Sequence, residues 1–257
     1  MLRHVPEFSV RIADGPCDIR QAQGLRYDVF ITELGGDGAS VDHAEKLESD
    51  RFDGFATHLM LEDLAPAAPR RLVGVYRLMT DDMARGAGGF YSAAEFDLAP
   101  LLESKRSLLE LGRSCLHVDY RGGAGMLKLW AALADYVAAQ KIDLMFGVAS
   151  FSGVNTADLA QPLSYLRHFH SAAPHISPIA RTDNAVALDV IPKDRIDRKA
   201  AILAIPTLIK AYLRLGGVVG QGAYVDYAFN TTDVCLILDT ELARARTKTM
   251  LHQGDSL

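Results

Sequence analysis

Three groups of residues in this chain combine side-chain types and spacings able to do chemistry. The first is Glu110-Leu-Gly-Arg113, which puts a carboxylate in the middle of an apolar strand formed with Leu108, Leu109 and Leu111. Burial in such a strand tends to raise a carboxyl pKa toward that of a working general base. The same carboxylate is equally suited to a structural ion pair with Arg113 or Arg77. The second group is Asp50 and Asp53 with Arg26 and Arg77. A guanidinium clamps a carboxylate bidentately and an aspartate receives an ammonium, so this mixed-charge set fits a zwitterion. Taken alone, the charged stretch 43–53 also reads as a solvated loop. The third is Asp119-Tyr-Arg121-Gly122-Gly123-Ala-Gly125, running from a strand into a helix that opens near Met126. A glycine-rich turn at a helix N-terminus presents unpaired N–H groups and a positive dipole end to a phosphate, although a plain strand-to-helix connection has the same spacing.

These groups require a frame. Period-two and short apolar runs predict strands at 8–12, 57–62, 71–79, 108–118, 143–149, 185–190, 224–229 and 234–238. Helical patterning falls at 18–33, 125–140, 156–168 and 198–215. Strand–helix alternation after Leu108 indicates α/β layering, while the strands near 57 and 71 form an antiparallel pair through the turn 63–69, so the sheet is mixed. Breaks at 85–89 and 216–222 are flexible, and a soft boundary near 174–178 separates a core, 1–175, from a C-terminal α/β lobe, 176–257, packed on it.

Composition narrows the function classes. With 257 residues, 49% of them hydrophobic, the chain buries a full core without staples. Cys17, Cys115 and Cys235 are far apart and odd in number, which indicates neither a disulfide framework nor a zinc site and fits a reducing cytoplasm. His117, His168, His170 and His175 show no zinc-ligand spacing either, so no metal is expected. The first 13 residues lack an apolar export core, and no apolar run approaches the roughly 20 residues that span a bilayer. A net charge of -5 with no dense basic block argues against nucleic acid.

The loop beginning at Arg121 is similar to the pantetheine-phosphate loop of GNAT acyltransferases, Gln/Arg-x-x-Gly-x-Gly/Ala, but Ala124 and Met126 depart from it. The ordered set Leu25-Arg26-Tyr-Asp-Val29-Phe30, Asp50-Arg51-Phe52-Asp53, Gly74-Val-Tyr-Arg77 and Glu110-x-x-Arg113 resembles acyl-homoserine lactone synthases, which are GNAT-like. A longer resemblance covers nearly the whole chain. Gly89-Phe-Tyr-Ser92, Glu95-Phe-Asp97-Leu, Glu110-Leu-Gly-Arg-Ser114, Asp143-Leu-Met-Phe-Gly147, Lys210-x-Tyr-Leu-Arg214-Leu-Gly216 and Phe229-x-Thr231-Thr232-Asp233-Val look like the ornithine lipid-forming N-acyltransferases.

That resemblance implies a GNAT-like fold: a mixed, mostly antiparallel central sheet flanked by helices, with a C-terminal extension. It implies transfer of a 3-hydroxyacyl group from acyl carrier protein to the α-amine of ornithine, with glutamine the acceptor in a related branch. The lactone-synthase reaction and a non-catalytic module that only binds the carrier are the rival readings. No cofactor is implied beyond the phosphopantetheine carried by the donor. Glu110 is then the candidate base for the α-ammonium. Backbone N–H groups near 116–118, Val118 among them, and Ser150 are candidates for holding the oxyanion, and Tyr165 for protonating the leaving thiolate. Arg26, Phe30, Asp50, Asp53, Arg77 and Arg113 become acceptor-binding candidates; Val118, Arg121, Gly122, Gly123, Gly125 and Lys128 become carrier and phosphopantetheine contacts. The relaxed loop favours the single phosphate of a carrier protein over the coenzyme A diphosphate. The apolar helix 198–215, tipped by Lys210 and Arg214, reads as the wall of an acyl tunnel, a membrane-interface helix at the inner face, or a core helix kinked at Pro206.

Overall fold

The structure, a computed structural model, describes residues 4–121 and 123–246. The chain divides into two compact units, the first made of residues up to Phe90 with Leu111–Lys141 and the second of Tyr91–Glu110 with everything from Ile142 onward. Residues 175 and 176 both belong to the second unit.

In the first unit, strand β1 (Phe8–Ile12) leads into helix α1 (Pro16–Arg26), whose first residue is a proline already set at the helical φ. The helix does not continue as α to Glu33, as the periodicity predicts. It widens into a π-helix over Tyr27–Glu33, which shifts the side chains of that segment relative to α1. Strands β2 (Thr57–Asp63) and β3 (Leu72–Thr80) form the expected antiparallel pair, with β1 antiparallel on the other edge of β2. Strand β4 (Leu108–Leu116) lies beside β3, giving the order β1-β2-β3-β4. Helix α2 (Ala124–Ala139) buries Gly125, Leu129, Leu133 and Val137, one residue every fourth position, as packing along one face requires. Ala22, Leu25, Val29, Met60, Leu72, Val75 and Cys115 make a core, with Phe30 packed against it half-buried.

Within the second unit, residues Leu108–Glu110 of β4 pair in parallel with β5 (Leu144–Ser152). Helix α3 (Ala160–Phe169) follows, starting four residues later than the pattern predicts. The predicted helix 198–215 is in fact two, α4 (Arg198–Ala204) and α5 (Thr207–Arg214). Pro206 has no N–H and forces Ile205 out of the helical region to φ −66°, ψ 132°, so the helix stops and restarts rather than kinking. Ala201, Ile205, Ile209, Tyr212 and Leu213 are buried while Ile202 and Leu203 face outward. Strand β6 (Ala223–Asp226) ends where the Asp226 carboxylate accepts the Ala228 and Phe229 N–H groups, and β7 (Thr231–Asp239) returns antiparallel to it. β7 pairs with β5 over all nine residues, from Thr231 opposite Ser152 to Asp239 opposite Leu144. The order here is β4-β5-β7-β6, then a short strand at Ala185–Val186 on β6. Most pairs are antiparallel. Among the described residues, no helix is long and apolar enough to cross a membrane.

Candidate active site

The mixed-charge residues of the first unit form a closed ring. Arg26 Nη1 and Nη2 donate to the two Asp53 carboxylate oxygens at 2.7 Å each, and its Nε lies 2.6 Å from Glu48 Oε2. Glu48 continues to Arg113 at 3.2 Å, and Arg113 to Asp50 at 3.2 Å. Asp50 is 2.6 Å from Arg77, which closes the circuit on Asp53 at 2.8 Å. Each of three carboxylates therefore bridges two guanidinium groups, and the ring is formally neutral. Burying four of these charges and half-burying the other two is tolerable only with such pairing and hydrogen bonding. Gln23 Nε2 also donates to Asp53, and His58 Nε2 lies 3.0 Å from the Asp53 carbonyl oxygen.

The ring's electrostatics follow from this. Burial works to push the Asp53 carboxyl up, but the hydrogen bond and charge of Arg26, with Arg77 and Gln23, hold it well below the carboxylate range. Burial likewise works to lower the Arg26 guanidinium, and Asp53 and Glu48 keep it above its ordinary value. His58, whose nearest charges partly cancel, is lowered chiefly by burial. Exposure is uneven: the side chains of Arg26 and Glu48 are 0% exposed, those of Arg113 and Asp50 11% and 14%. The Arg113–Asp50 edge is therefore the part of the ring nearest solvent. Arg113 reaches it from a strand residue at φ 50°, a left-handed conformation uncommon for anything but glycine and stabilised here by what its side chain grips.

In the second unit, the buried Glu110 carboxylate accepts the Tyr91 N–H at 2.9 Å and the Ser92 N–H at 2.6 Å. The pairing registers place Glu110 opposite Phe146 and Ser150 opposite Asp233. Because alternate residues of a strand share a face, Glu110, Phe146, Ser150, Asp233 and Cys235 all lie on one side of this sheet. Ser150 is exposed. Tyr165, half-buried on α3, stacks on Phe169 with ring centroids 4.9 Å apart.

The glycine-rich turn, in the first unit, is built differently from a bare phosphate cradle. Arg121 is clamped by Glu33 through both terminal nitrogens, at 2.5 and 2.7 Å, and its Nε donates to the Leu116 carbonyl. The Glu33 hydrogen bond raises the Arg121 guanidinium, and Arg121 in turn lowers Glu33. Gly122 lies outside the described residues. Gly123 caps α2 with φ 110°, and among the described residues no side chain caps that helix start. Gly125 answers a packing demand: a Cβ there would stand 3.0 Å from Leu61 Cδ2. Val118 and Lys128 are exposed.

A model of the acetyltransferase (GNAT) domain matches residues 25–131. An L-ornithine N(alpha)-acyltransferase of Rhodobacter capsulatus is 52% identical over 236 residues, spanning 91% of this chain and 90% of that protein. The chain belongs to the L-ornithine N(alpha)-acyltransferase family. A second relative of the same name, from Brucella abortus, is 40% identical over 96% of this chain and 89% of its own. The structure of FeeM, an N-acyl amino acid synthase from uncultured soil microbes, superposes with a TM-score of 0.55 over 94% of this chain and 96% of that one at 14% identity, a likeness of fold.

For this acyltransferase, then, the structure gathers Arg26, Asp50, Asp53, Arg77 and Arg113 into one network and puts Phe30 against the core beside it. Sequence reasoning missed Glu48, Gln23 and His58, which complete that network. It also missed a carboxylate group in the second unit: Glu95, Asp226 and Asp233 bring oxygen atoms within 4.8 Å of one another.

Proposed function

We propose that this chain transfers a long 3-hydroxyacyl group from the phosphopantetheine thioester of acyl carrier protein to the α-amine of L-ornithine, giving a lyso-aminolipid. The observation that carries the reading is the 52% identity, across nearly all of both chains, to a protein named for that acceptor and that nitrogen. Chemistry assigns the roles. The α-ammonium must lose a proton before it attacks a thioester, and Glu110, buried and held by two backbone N–H groups, is the proposed base, directly or through a water. Attack makes a tetrahedral oxyanion, for which the Ser150 hydroxyl, on the sheet face of Glu110, is a proposed donor. Tyr165 then protonates the departing thiolate.

Arg113, on the more exposed edge of the ring, is the proposed clamp for the amino-acid carboxylate, exchanging an internal carboxylate for an external one without changing its charge state. Arg26, wholly enclosed, positions the ring instead. On the donor side, the uncapped start of α2 with Arg121 supports a single-phosphate ligand, and Lys128 a contact with an acidic carrier. The outward Ile202 and Leu203, near the basic Arg198 and Lys199, support peripheral contact with the inner membrane face, where a lipid product must go. Incubation of the purified protein with 3-hydroxyacyl carrier protein and a panel of amino acids, read by mass spectrometry, tests the reading. An N-acyl-ornithine product is expected; a lactone formed from S-adenosylmethionine, or no acyl transfer at all, refutes it.

A further inference from the structure

Resting on that functional reading, we propose that Glu33 is an internal competitor of the donor: its carboxylate occupies the guanidinium fork of Arg121 until the phosphate of the phosphopantetheine displaces it, and returns there when the spent carrier leaves. Both residues belong to the first unit. The two Glu33 carboxylate oxygens accept from the two terminal nitrogens of Arg121 at 2.5 and 2.7 Å. A phosphate offers the same fork two oxygens in the same bidentate arrangement. While Glu33 sits there, the charge of Arg121 is cancelled and the forward edge of its fork is taken. The hydrogen bond from Arg121 lowers the Glu33 carboxyl, so the competitor is charged at neutral pH.

Neither partner depends on the pair for its place. Arg121 keeps a second attachment through Nε, which donates to the Leu116 carbonyl at 3.2 Å. Glu33 is the last residue of the π-helix Tyr27–Glu33, and that segment has anchors of its own. The Tyr27 hydroxyl is 3.1 Å from His43 Nδ1, Arg70 Nη2 donates to Asp28 at 2.7 Å, and Val29 and Ile31 are buried. The Leu34 N–H closes on the Val29 carbonyl at 3.1 Å, an i to i−5 bond. This wider turn moves Glu33 round the axis from where a continued α-helix would aim it, so the clamp on Arg121 depends on the π geometry.

Exposure separates this clamp from the buried one. Arg26 grips Asp53 through the same two nitrogens, but its side chain is 0% exposed and faces no solvent. The side chains of Arg121 and Glu33 are 43% and 32% exposed. Ion pairs this open to water hold by about a factor of five or less. A ligand that brings a phosphate together with other contacts on the protein therefore displaces the carboxylate, and the carboxylate in turn weakens every phosphate bound at Arg121 by about that factor.

The test measures binding of free phosphopantetheine by calorimetry, and the KM values for 3-hydroxyacyl carrier protein and for ornithine, in the wild type, Glu33→Gln, Arg121→Gln and the double variant. Glutamine keeps the size of Glu33 without its charge. Glu33→Gln should therefore tighten phosphopantetheine binding and lower the carrier KM by about fivefold, with the ornithine KM unchanged within about twofold. The gain should vanish in the Arg121→Gln background, because it acts through that guanidinium. A purely structural tie predicts the opposite, weaker or unchanged binding with a lower urea midpoint. Unchanged or weaker binding in Glu33→Gln overturns the proposal, as does a gain that persists without Arg121 or a Glu33→Gln chain that fails to fold. If the wild type transfers no acyl group from carrier protein to ornithine, the functional reading fails, whereas the calorimetry needs no turnover and decides on Glu33 by itself.

Discussion

Replacing Asp53 with asparagine measures how much the charged ring contributes to the fold. Asp53 is 3% exposed and accepts from Arg26 twice, from Arg77, from Gln23 and from the Asp50 N–H. Asparagine has the same size but no charge, and one of its two oxygens becomes an NH₂ that faces donors on either side. Arg26, with a side chain 0% exposed, then keeps one formal partner, Glu48, and the ring carries a net positive charge. Removing one member of a buried pair costs about 3–5 kcal/mol. The retained acceptor oxygen puts the expected loss near the lower end, about 3 kcal/mol, a large share of the 5–15 kcal/mol typical of a domain. Urea unfolding of wild type and variant reads this directly. A loss under about 1 kcal/mol, the value of an exposed pair, would refute the idea that the ring holds the fold.

Acid supplies an independent check on the same residue. The folded-state pKa of Asp53 lies below its unfolded value, so its contribution is fully present above the unfolded pKa of about 3.9 and fades as pH falls toward the folded one. The asparagine of the variant mimics the protonated form at every pH. The stability gap between wild type and variant should therefore be constant near neutrality and shrink below about pH 4. A gap that stays constant into strong acid would mean that lost packing, not lost charge, is being measured.

Other outcomes follow from the same geometry. Glu110→Gln should lower acyl transfer by about 10²-fold or more with the fold kept, as expected for loss of a positioned base; near wild-type turnover in the purified variant would return Glu110 to a structural role at Tyr91 and Ser92. Arg121→Glu sets two carboxylates against each other at Glu33 and should raise the KM for acyl carrier protein far more than that for the amino acid, with wild-type affinity falling as salt rises; equal use of free acyl-coenzyme A would count against it. Gly125→Ala must move Leu61 or the start of α2, and should cost about 1–2 kcal/mol in thermal or urea unfolding; an unchanged midpoint would show that the contact at 3.0 Å relaxes freely.

What the sequence revealed and what it hid divide along one physical line. Elements defined by local patterning were legible: β1 matches its expected bounds and α2 differs by one residue at each end, whereas apolar periodicity running through 198–215 hid the full stop that Pro206 and its extended neighbour impose. Features created by register were not. Glu48 sits two residues after the exposed Lys46, in a stretch that reads as solvated, and only the two-residue strand Leu47–Glu48 turns it inward. Closing the ring further needs a left-handed residue at Arg113, which nothing in the identity of an arginine announces. The acidic cluster was hidden by a boundary. Apolar periodicity starts the last strand at Val234, but its hydrogen bonds start at Thr231, and those three residues carry Asp233 onto the sheet face opposite Ser150. A polar residue at a strand end is ordinarily taken as a turn, because solvent explains it at no cost. Here register overrides that reading: Asp233 is buried within the strand, and Thr231 Oγ1 donates to its carboxylate.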